Sequence, residues 1–150
     1  MITEKNQDKV RKFYEVMAKM QVPPAKKIGL LAVKKETLAD VSALAPNPNL
    51  VTSFDLTRET DSQEMIEELA KTITAGRIAL LCLHDWLDPQ IYNQLYLLSK
   101  NGRMEYPRLE ERIFVQATKE AVIILVSTDR ELEKLNYDNL FDLVGLVERL

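Results

Sequence analysis

Three aspartates are the residues whose type and position could support metal chemistry. Asp55, Asp85 and Asp129 each lie near the carboxyl end of a predicted strand. Parallel strands end at one edge of a sheet, and α/β proteins place their sites there, so these carboxylates form a candidate acidic site. Such a trio could bind a divalent ion that assists hydrolysis. Aspartates at strand ends are also common loop residues and helix caps, so position alone is a weak argument for metal binding.

The single cysteine and the single histidine could act as a nucleophile and a base. Cys82 lies within an apolar strand, where a cysteine usually behaves as a small buried hydrophobic residue. His84 ends that strand, and its only acidic neighbour in the sequence is Asp85. A general base needs a positioned partner, so a structural role is the simpler interpretation of His84. With one cysteine, neither an intramolecular disulfide nor a thiolate zinc site can form.

Two groups of apolar side chains could form a surface for binding another protein. Trp86 precedes a predicted helix, and Tyr92 and Tyr96 lie four residues apart on that helix. Clustered exposed aromatic residues favour contact with other proteins. The alternative is that these rings close the core of the domain itself. Phe13 and Met17, on the apolar side of the first predicted helix, are the second candidate surface.

The elements that must position these residues alternate between helices and strands. Apolar residues at helical spacing predict a first helix over residues 6–20. Short apolar runs predict buried strands at residues 28–33, 50–56, 77–83 and 121–126. In the 50–56 strand, Leu50 shares one face with Phe54 and Leu56. Residues 140–147 fit either a helix or a strand, and we predict a fifth strand from Leu143, because the residues that follow are rich in β-branched side chains.

Helices are predicted between the strands, with clear start and stop signals. One runs over residues 38–44, and another begins at Asp61 and ends at Gly76. A third begins at Asp88-Pro89 and ends at Asn101-Gly102, where proline at the first position and glycine beyond the last suit a helix. Residues 104–106 and 112–116 are predicted to form a polar hairpin. The alternation predicts a three-layer α/β sandwich around a largely parallel five-stranded sheet.

Composition places the chain among single-domain globular proteins and argues against several partners. With 150 residues, 46% hydrophobic and 29% charged, it can bury a substantial core. A net charge of −3 and the lack of a dense basic block give no electrostatic reason to expect nucleic acid as a partner. The polar start lacks the apolar core of a signal peptide, and the longest apolar run is too short to span a membrane. We therefore expect a cytoplasmic protein.

From Gly76 onward the order of features resembles the MoxR-type branch of the AAA+ ATPases. In that family a strand with acidic residues leads into a helix begun by Asp-Pro. A Gly-Arg hairpin with a proline and a strand ending in a sensor residue come next. The matching segments here are residues 77–83, Asp88-Pro89, residues 102–109 and residues 122–132. Residues 54–61 and 140–144 resemble the segment after the second strand and the final core strand, so the resemblance covers roughly residues 25–150.

The resemblance implies a phosphate-binding loop in which the nucleotide-binding residues have been replaced. The matching segment runs from Gly29 to Thr37. Gly29 and Lys35 are retained, but Lys34 replaces the second glycine and Glu36 takes the position of the magnesium-binding hydroxyl. A carboxylate there would repel a triphosphate, and side chains resist the positive φ that such loops use. An ordinary strand-to-helix turn is the simpler interpretation of the segment.

The other catalytic positions implied by the resemblance are replaced as well. Cys82 and Leu83 stand where the family has the acidic pair that binds magnesium and activates water, and Asp85 lies close enough to substitute. Thr128 stands at the sensor position, and Leu140 at the position of the arginine finger. The sequence shows no counterpart of the helical lid domain.

The sequence thus predicts a pseudo-ATPase with a P-loop NTPase-like sheet of order 5-1-4-3-2. Residues 1–24 form a helix and linker packed on the core, and residues 25–150 form the core. We expect no cofactor, and another protein as partner, with the oligomeric state open. A metal-dependent hydrolase using Asp55, Asp85 and Asp129 is one alternative. A nucleotide-sensing module using Lys34, Lys35 and Thr37 is the other.

Overall fold

Five strands of the described chain form one parallel sheet, and two more form a hairpin. The computed structural model describes residues 3–20, 27–34, 38–57, 59–84, 86–135 and 142–150. In chain order its elements are α1 (Glu4–Lys19), β1 (Ile28–Ala32), α2 (Leu38–Ala43), β2 (Val51–Leu56), α3 (Ser62–Thr74), β3 (Ile78–Leu83), α4 (Pro89–Asn101), β4 (Arg103–Arg108), β5 (Glu111–Gln116), β6 (Val122–Ser127), α5 (Asp129–Lys134) and β7 (Leu146–Arg149). A single 3-10 turn, Pro48–Leu50, precedes β2.

The sheet has the predicted strand order. Its strands lie in the order β2-β3-β6-β1-β7, and each neighbouring pair is parallel. When these five strands are numbered 1 to 5 along the chain, the order read from the β7 edge is 5-1-4-3-2. β1 and β6 are buried along their whole length, as expected for central strands covered on both faces. The three-layer α/β prediction is confirmed.

One face of the sheet is covered by α1 and α2. Val10, Phe13, Tyr14 and Met17 of α1 are buried in a cluster with apolar side chains of β1, β3 and β6. The Tyr14 hydroxyl donates a hydrogen bond to the Val41 carbonyl oxygen at 2.7 Å, which ties α1 to α2. Burial raises the pKa of Tyr14 well above its usual range, so the hydroxyl remains a donor.

The opposite face is covered by α3, α4 and α5 together with the β4–β5 hairpin. Apolar residues of these elements form a second cluster with the alternate side chains of the central strands. Met104 and Tyr106 of β4 are buried in it, so the predicted polar hairpin is confirmed as a hairpin but has one apolar face. No helix among the described residues is long and apolar enough to cross a membrane.

The helix boundaries follow the capping residues that the sequence indicated. Asp88 caps α4 through the Gln90 N–H at 2.7 Å, and Gly102 ends the helix with φ of 74°. Asp61 caps α3 by accepting from the N–H groups of Gln63 and Glu64. Gly76 follows α3 with φ of 70°, where a residue with a Cβ would be strained.

Three sequence predictions about the elements were wrong. Leu50 lies in the 3-10 turn and is exposed, because the strand begins one residue later. The last strand begins at Leu146 rather than Leu143, after a turn at residues 142–143, so the described residues 142–144 are not part of the final core strand. Leu140 lies outside the described residues. Helix α5 was missed, although Thr128 and Glu131 form a complete capping box that marks its start.

Candidate functional site

Polar side chains from three neighbouring strands meet at the carboxyl edge of the sheet. Asp55 lies near the end of β2, His84 follows β3, and Glu131 lies in α5, directly after β6. His84 Nε2 lies 2.6 Å from Asp55 Oδ1, and His84 Nδ1 lies 3.5 Å from Glu131 Oε1. The imidazole therefore bridges two carboxylates that are 76 residues apart in sequence (131 − 55). This contact overturns the expectation that His84 has no acidic partner beyond Asp85.

Glu131 is held in place from the other side by β6 and the start of α5. Its Oε2 accepts hydrogen bonds from the Thr128 N–H at 3.0 Å and from the Ser127 hydroxyl at 3.2 Å. Ser127 is itself buried. With its oxygens used in this way, Glu131 acts as a cap and as a fixed charge for His84. The arrangement positions the imidazole, and the Ser127 hydroxyl, which is buried, donates its hydrogen bond to Glu131 rather than to His84.

Cys82 lies close to this cluster but is not an activated thiol. Burial raises the pKa of the Cys82 thiol, and the carboxylates of Asp55 and Glu131 raise it further. A nucleophilic cysteine requires the opposite shift, because the thiolate is the reactive form. The prediction that Cys82 is a structural residue agrees with this environment.

We expect Cys82 to be alkylated slowly near neutral pH. Its pKa lies above the ordinary thiol value of about 8.5, so the rate should increase with pH only beyond that range. Asp55→Asn removes one of the two nearby charges and should accelerate the reaction. Because the chain has a single cysteine, mass spectrometry after iodoacetamide treatment reports this residue alone. Urea-unfolded protein is the control, and equal folded and unfolded rates at about pH 8 would contradict the prediction.

The predicted acidic trio is not assembled among the described residues. Asp129 is the first residue of α5 and pairs with Arg149. Arg149 lies in β7, at the opposite edge of the sheet from β2, the strand of Asp55. Asp55 instead binds His84, and Asp85 lies outside the described residues. Within the described part of the chain, no group of three His, Cys, Asp or Glu residues is arranged to bind a metal ion. Asp129 also lies just beyond a strand end, two residues after β6, but its carboxylate pairs with Arg149 rather than joining Asp55.

The structure also corrects the predicted phosphate-binding loop. Gly29 is the second residue of β1 and pairs with Ile124 on one side and Leu146 on the other. A Cβ built on Gly29 would lie 2.6 Å from Phe13 Cζ and 2.9 Å from Met17 Sδ. Gly29 is therefore required for the close packing of α1 on β1, and a loop cannot begin there.

The turn after β1 is the remaining candidate for phosphate binding. Lys34 is exposed in this turn, whereas Lys35, Glu36 and Thr37 lie outside the described residues. No glycine occurs between Gly29 and Gly76. At the end of β3, Cys82 is half-buried and Leu83 is buried against the helical face, so both lie at the strand end that the resemblance implied.

Comparison with solved structures identifies a fold rather than a family. No family model matches the sequence, and no curated protein matches it significantly. Among solved structures, NtrX from Brucella abortus in complex with ADP matches with a TM-score of 0.57 and 13% sequence identity. The alignment covers 99% of this chain but 36% of the NtrX chain. The chain has a P-loop NTPase-like α/β fold.

On this P-loop NTPase-like fold, only some of the residues predicted to bind another protein are exposed at the surface. Phe13 and Met17 are buried against the sheet, because the apolar side of α1 forms part of the core, so they do not form an exposed surface. Tyr92 is half-buried and packs on the other core cluster. Trp86 is half-buried and has contacts of its own. Tyr96 is exposed, with the Lys100 ammonium 5.6 Å from its ring centroid.

The sequence did not indicate which large apolar residues of the described chain would be most exposed, namely two on the β4–β5 hairpin. Leu109, in the hairpin turn, is 97% exposed and has φ of 57°, a left-handed conformation that costs a non-glycine residue energy. Phe114 of β5 is 57% exposed, with the Arg103 guanidinium 5.5 Å from its ring centroid. The hairpin turn is polar apart from Leu109, so the sequence did not predict exposed apolar side chains there.

Proposed function

We propose that the chain is a non-catalytic AAA-like domain that acts by binding another protein, as an adaptor or as a subunit of an assembly. The observation that carries this proposal is the packing of Gly29. The only glycine of the segment that matches a phosphate-binding loop lies within β1, and α1 fills the space beside it. A loop that wraps a polyphosphate needs several residues free to adopt positive φ. The described residues therefore do not fit a bound nucleoside triphosphate.

The carboxyl end of β3 supports the same proposal. In nucleotide-hydrolysing relatives of this fold, carboxylates at this position bind magnesium and activate water. Here the positions are taken by Leu83, which is buried, and by Cys82, whose thiol pKa is raised by burial and nearby charge. A protonated thiol is a poor magnesium ligand, because this cation prefers oxygen. His84 instead contacts both Asp55 and Glu131, so these two acidic side chains at this edge of the sheet are engaged with the imidazole.

Exposed apolar side chains on the hairpin support the binding part of the proposal. Leu109 and Phe114 remain exposed, although Met104 and Tyr106 of the same hairpin are buried in the core cluster with α3 and α4. A strained and fully exposed leucine lowers the stability of the isolated domain. Its presence is readily understood if a partner covers it.

A thermal shift experiment tests the non-catalytic part of the proposal. We expect no increase in Tm with ATP or ADP, each with magnesium, because a ligand that does not bind the folded state cannot stabilise it. A dose-dependent rise in Tm would overturn the proposal in favour of the nucleotide-sensing module. Phosphate release that depends on the protein would restore an enzymatic function. An AAA+ ATPase with an intact phosphate-binding loop, measured in parallel, is the positive control.

A further inference from the structure

Strand β2 forms a free edge of the sheet. It pairs with β3 through six residues, and no described strand lies on its other side. The backbone of an edge strand directs alternate N–H and C=O groups away from the sheet. Such an edge is able to accept an extended peptide as an additional strand.

The hydroxyl group of Thr60 shows which backbone groups face this free edge. Thr60 Oγ1 accepts a hydrogen bond from the Thr57 N–H at 2.9 Å and donates one to the Asp55 carbonyl oxygen at 3.3 Å. These are the groups that a neighbouring strand would bind at this point. Because backbone direction alternates along a strand, the Ser53 C=O and the Asp55 N–H face the same side, two residues earlier. Thr60 therefore occupies only the carboxyl end of the edge.

A groove with acidic walls lies along the same edge. It has a volume of about 390 Å³ and runs between β2 and the first half of α3, with Phe54 and Met65 among its lining residues. The charged residues of its lining are all carboxylates: Asp55, Asp61, Glu64 and Glu68. Lys71 pairs with Glu68 from outside the groove, and Asp61 also caps α3. Among the described residues, no lysine or arginine contributes to the lining, so the described walls of the groove are negatively charged.

We propose that the β2 edge binds an extended, basic segment of a partner protein as an added strand. The segment's backbone would pair with the groups around Ser53 and Asp55, and its lysine or arginine side chains would face Glu64 and Glu68. This inference rests on the proposed protein-binding function and names its surface and the chemistry of its partner. A second copy of the chain fits poorly, because pairing two β2 edges would bring carboxylates of like charge together.

Binding of a short synthetic peptide tests this proposal. The probe is a fluorescein-labelled heptapeptide that alternates lysine with valine, measured by fluorescence anisotropy at low salt. We expect it to bind, and a heptapeptide that alternates glutamate with valine not to bind. Glu64→Lys combined with Glu68→Lys should weaken binding by about ten-fold or more, because both side chains are expected to contact the probe. Glu133→Lys, an exposed change of charge on α5, is the control variant and should have little effect.

A chemically modified probe separates strand addition from simple charge attraction. N-methylation of alternate residues removes backbone donors but keeps the charge of the peptide, and should weaken binding by about ten-fold or more. Unchanged binding of the methylated probe would overturn strand addition, and equal binding of the acidic and basic peptides would overturn the charge assignment. A dimer that Glu64→Lys strengthens would assign the edge to a second copy. The thermal shift experiment with ATP and magnesium keeps the two proposals apart, because nucleotide binding appears as a Tm shift whether or not the peptide binds.

Discussion

Replacing Gly29 with alanine is expected to destabilise the folded chain by about 2–3 kcal/mol, the upper part of the range of about 1–3 kcal/mol that is typical of overpacking a core. The added methyl group would lie 2.6 Å from Phe13 Cζ and 2.9 Å from Met17 Sδ, well inside contact distance. Both side chains are buried, so the rigid phenylalanine ring has little room to move. The flexible methionine side chain can adjust more easily. The expected result is weaker packing of α1 on β1 in a chain that still unfolds as one unit, measured as a lower midpoint of urea unfolding with an unchanged m-value.

Two further variants distinguish packing from a change in strand propensity. Gly145→Ala is the control, because Gly145 is exposed and does not have a positive φ, and it should change stability little. Phe13→Leu removes the atom nearest to the added methyl group, so it should recover part of the loss in the Gly29→Ala background. If Gly29→Ala is neutral, the glycine is not required for packing, and a role for it in a phosphate-binding loop becomes reasonable again.

Most of the fold could be predicted because its determinants are local. Apolar runs marked the central strands β1, β3 and β6, and the capping signals of Asp61, Asp88 and Gly102 fixed the helices between them. The last strand was placed three residues too early, because β-branched residues continue from the turn into the strand and the pattern cannot fix a boundary. Helix α5 was missed because its six residues are mostly charged, and only its capping box indicates a start.

The candidate site was harder to predict because its contacts depend on the order of strands and on side-chain direction. His84 meets Asp55 and Glu131 only because β3 lies between β2 and β6. The predicted order placed these strand ends side by side, but the sequence could not show which carboxylate each side chain would reach. Asp129 pairs with Arg149, which follows from the position of β7 beside β1 rather than from any local pattern. The packing role of Gly29 was hidden for the same reason, since its neighbours lie on α1.

Replacing Gln94 with methionine is expected to release the β4–β5 hairpin from α4. The buried Gln94 amide binds the backbone of Glu105 twice, donating to its C=O at 2.7 Å and accepting from its N–H at 3.1 Å. Methionine has a similar length but leaves both peptide groups unpaired, at about 1–3 kcal/mol each. We expect a loss of about 3 kcal/mol in unfolding free energy and faster hydrogen exchange for the Glu105 amide than for amides of β6.

Gln90→Met, on the exposed side of the same helix, is the matched control and should leave exchange of the hairpin amides unchanged. The contrast matters because the hairpin carries the exposed Leu109 and Phe114, and only a fixed hairpin presents them in one arrangement. If these residues bind a partner, Gln94→Met should weaken that binding although neither side chain has changed. It should leave peptide binding at the β2 edge intact, because that surface lies on the other side of α3. Loss of both activities together would indicate instead that the whole domain had unfolded.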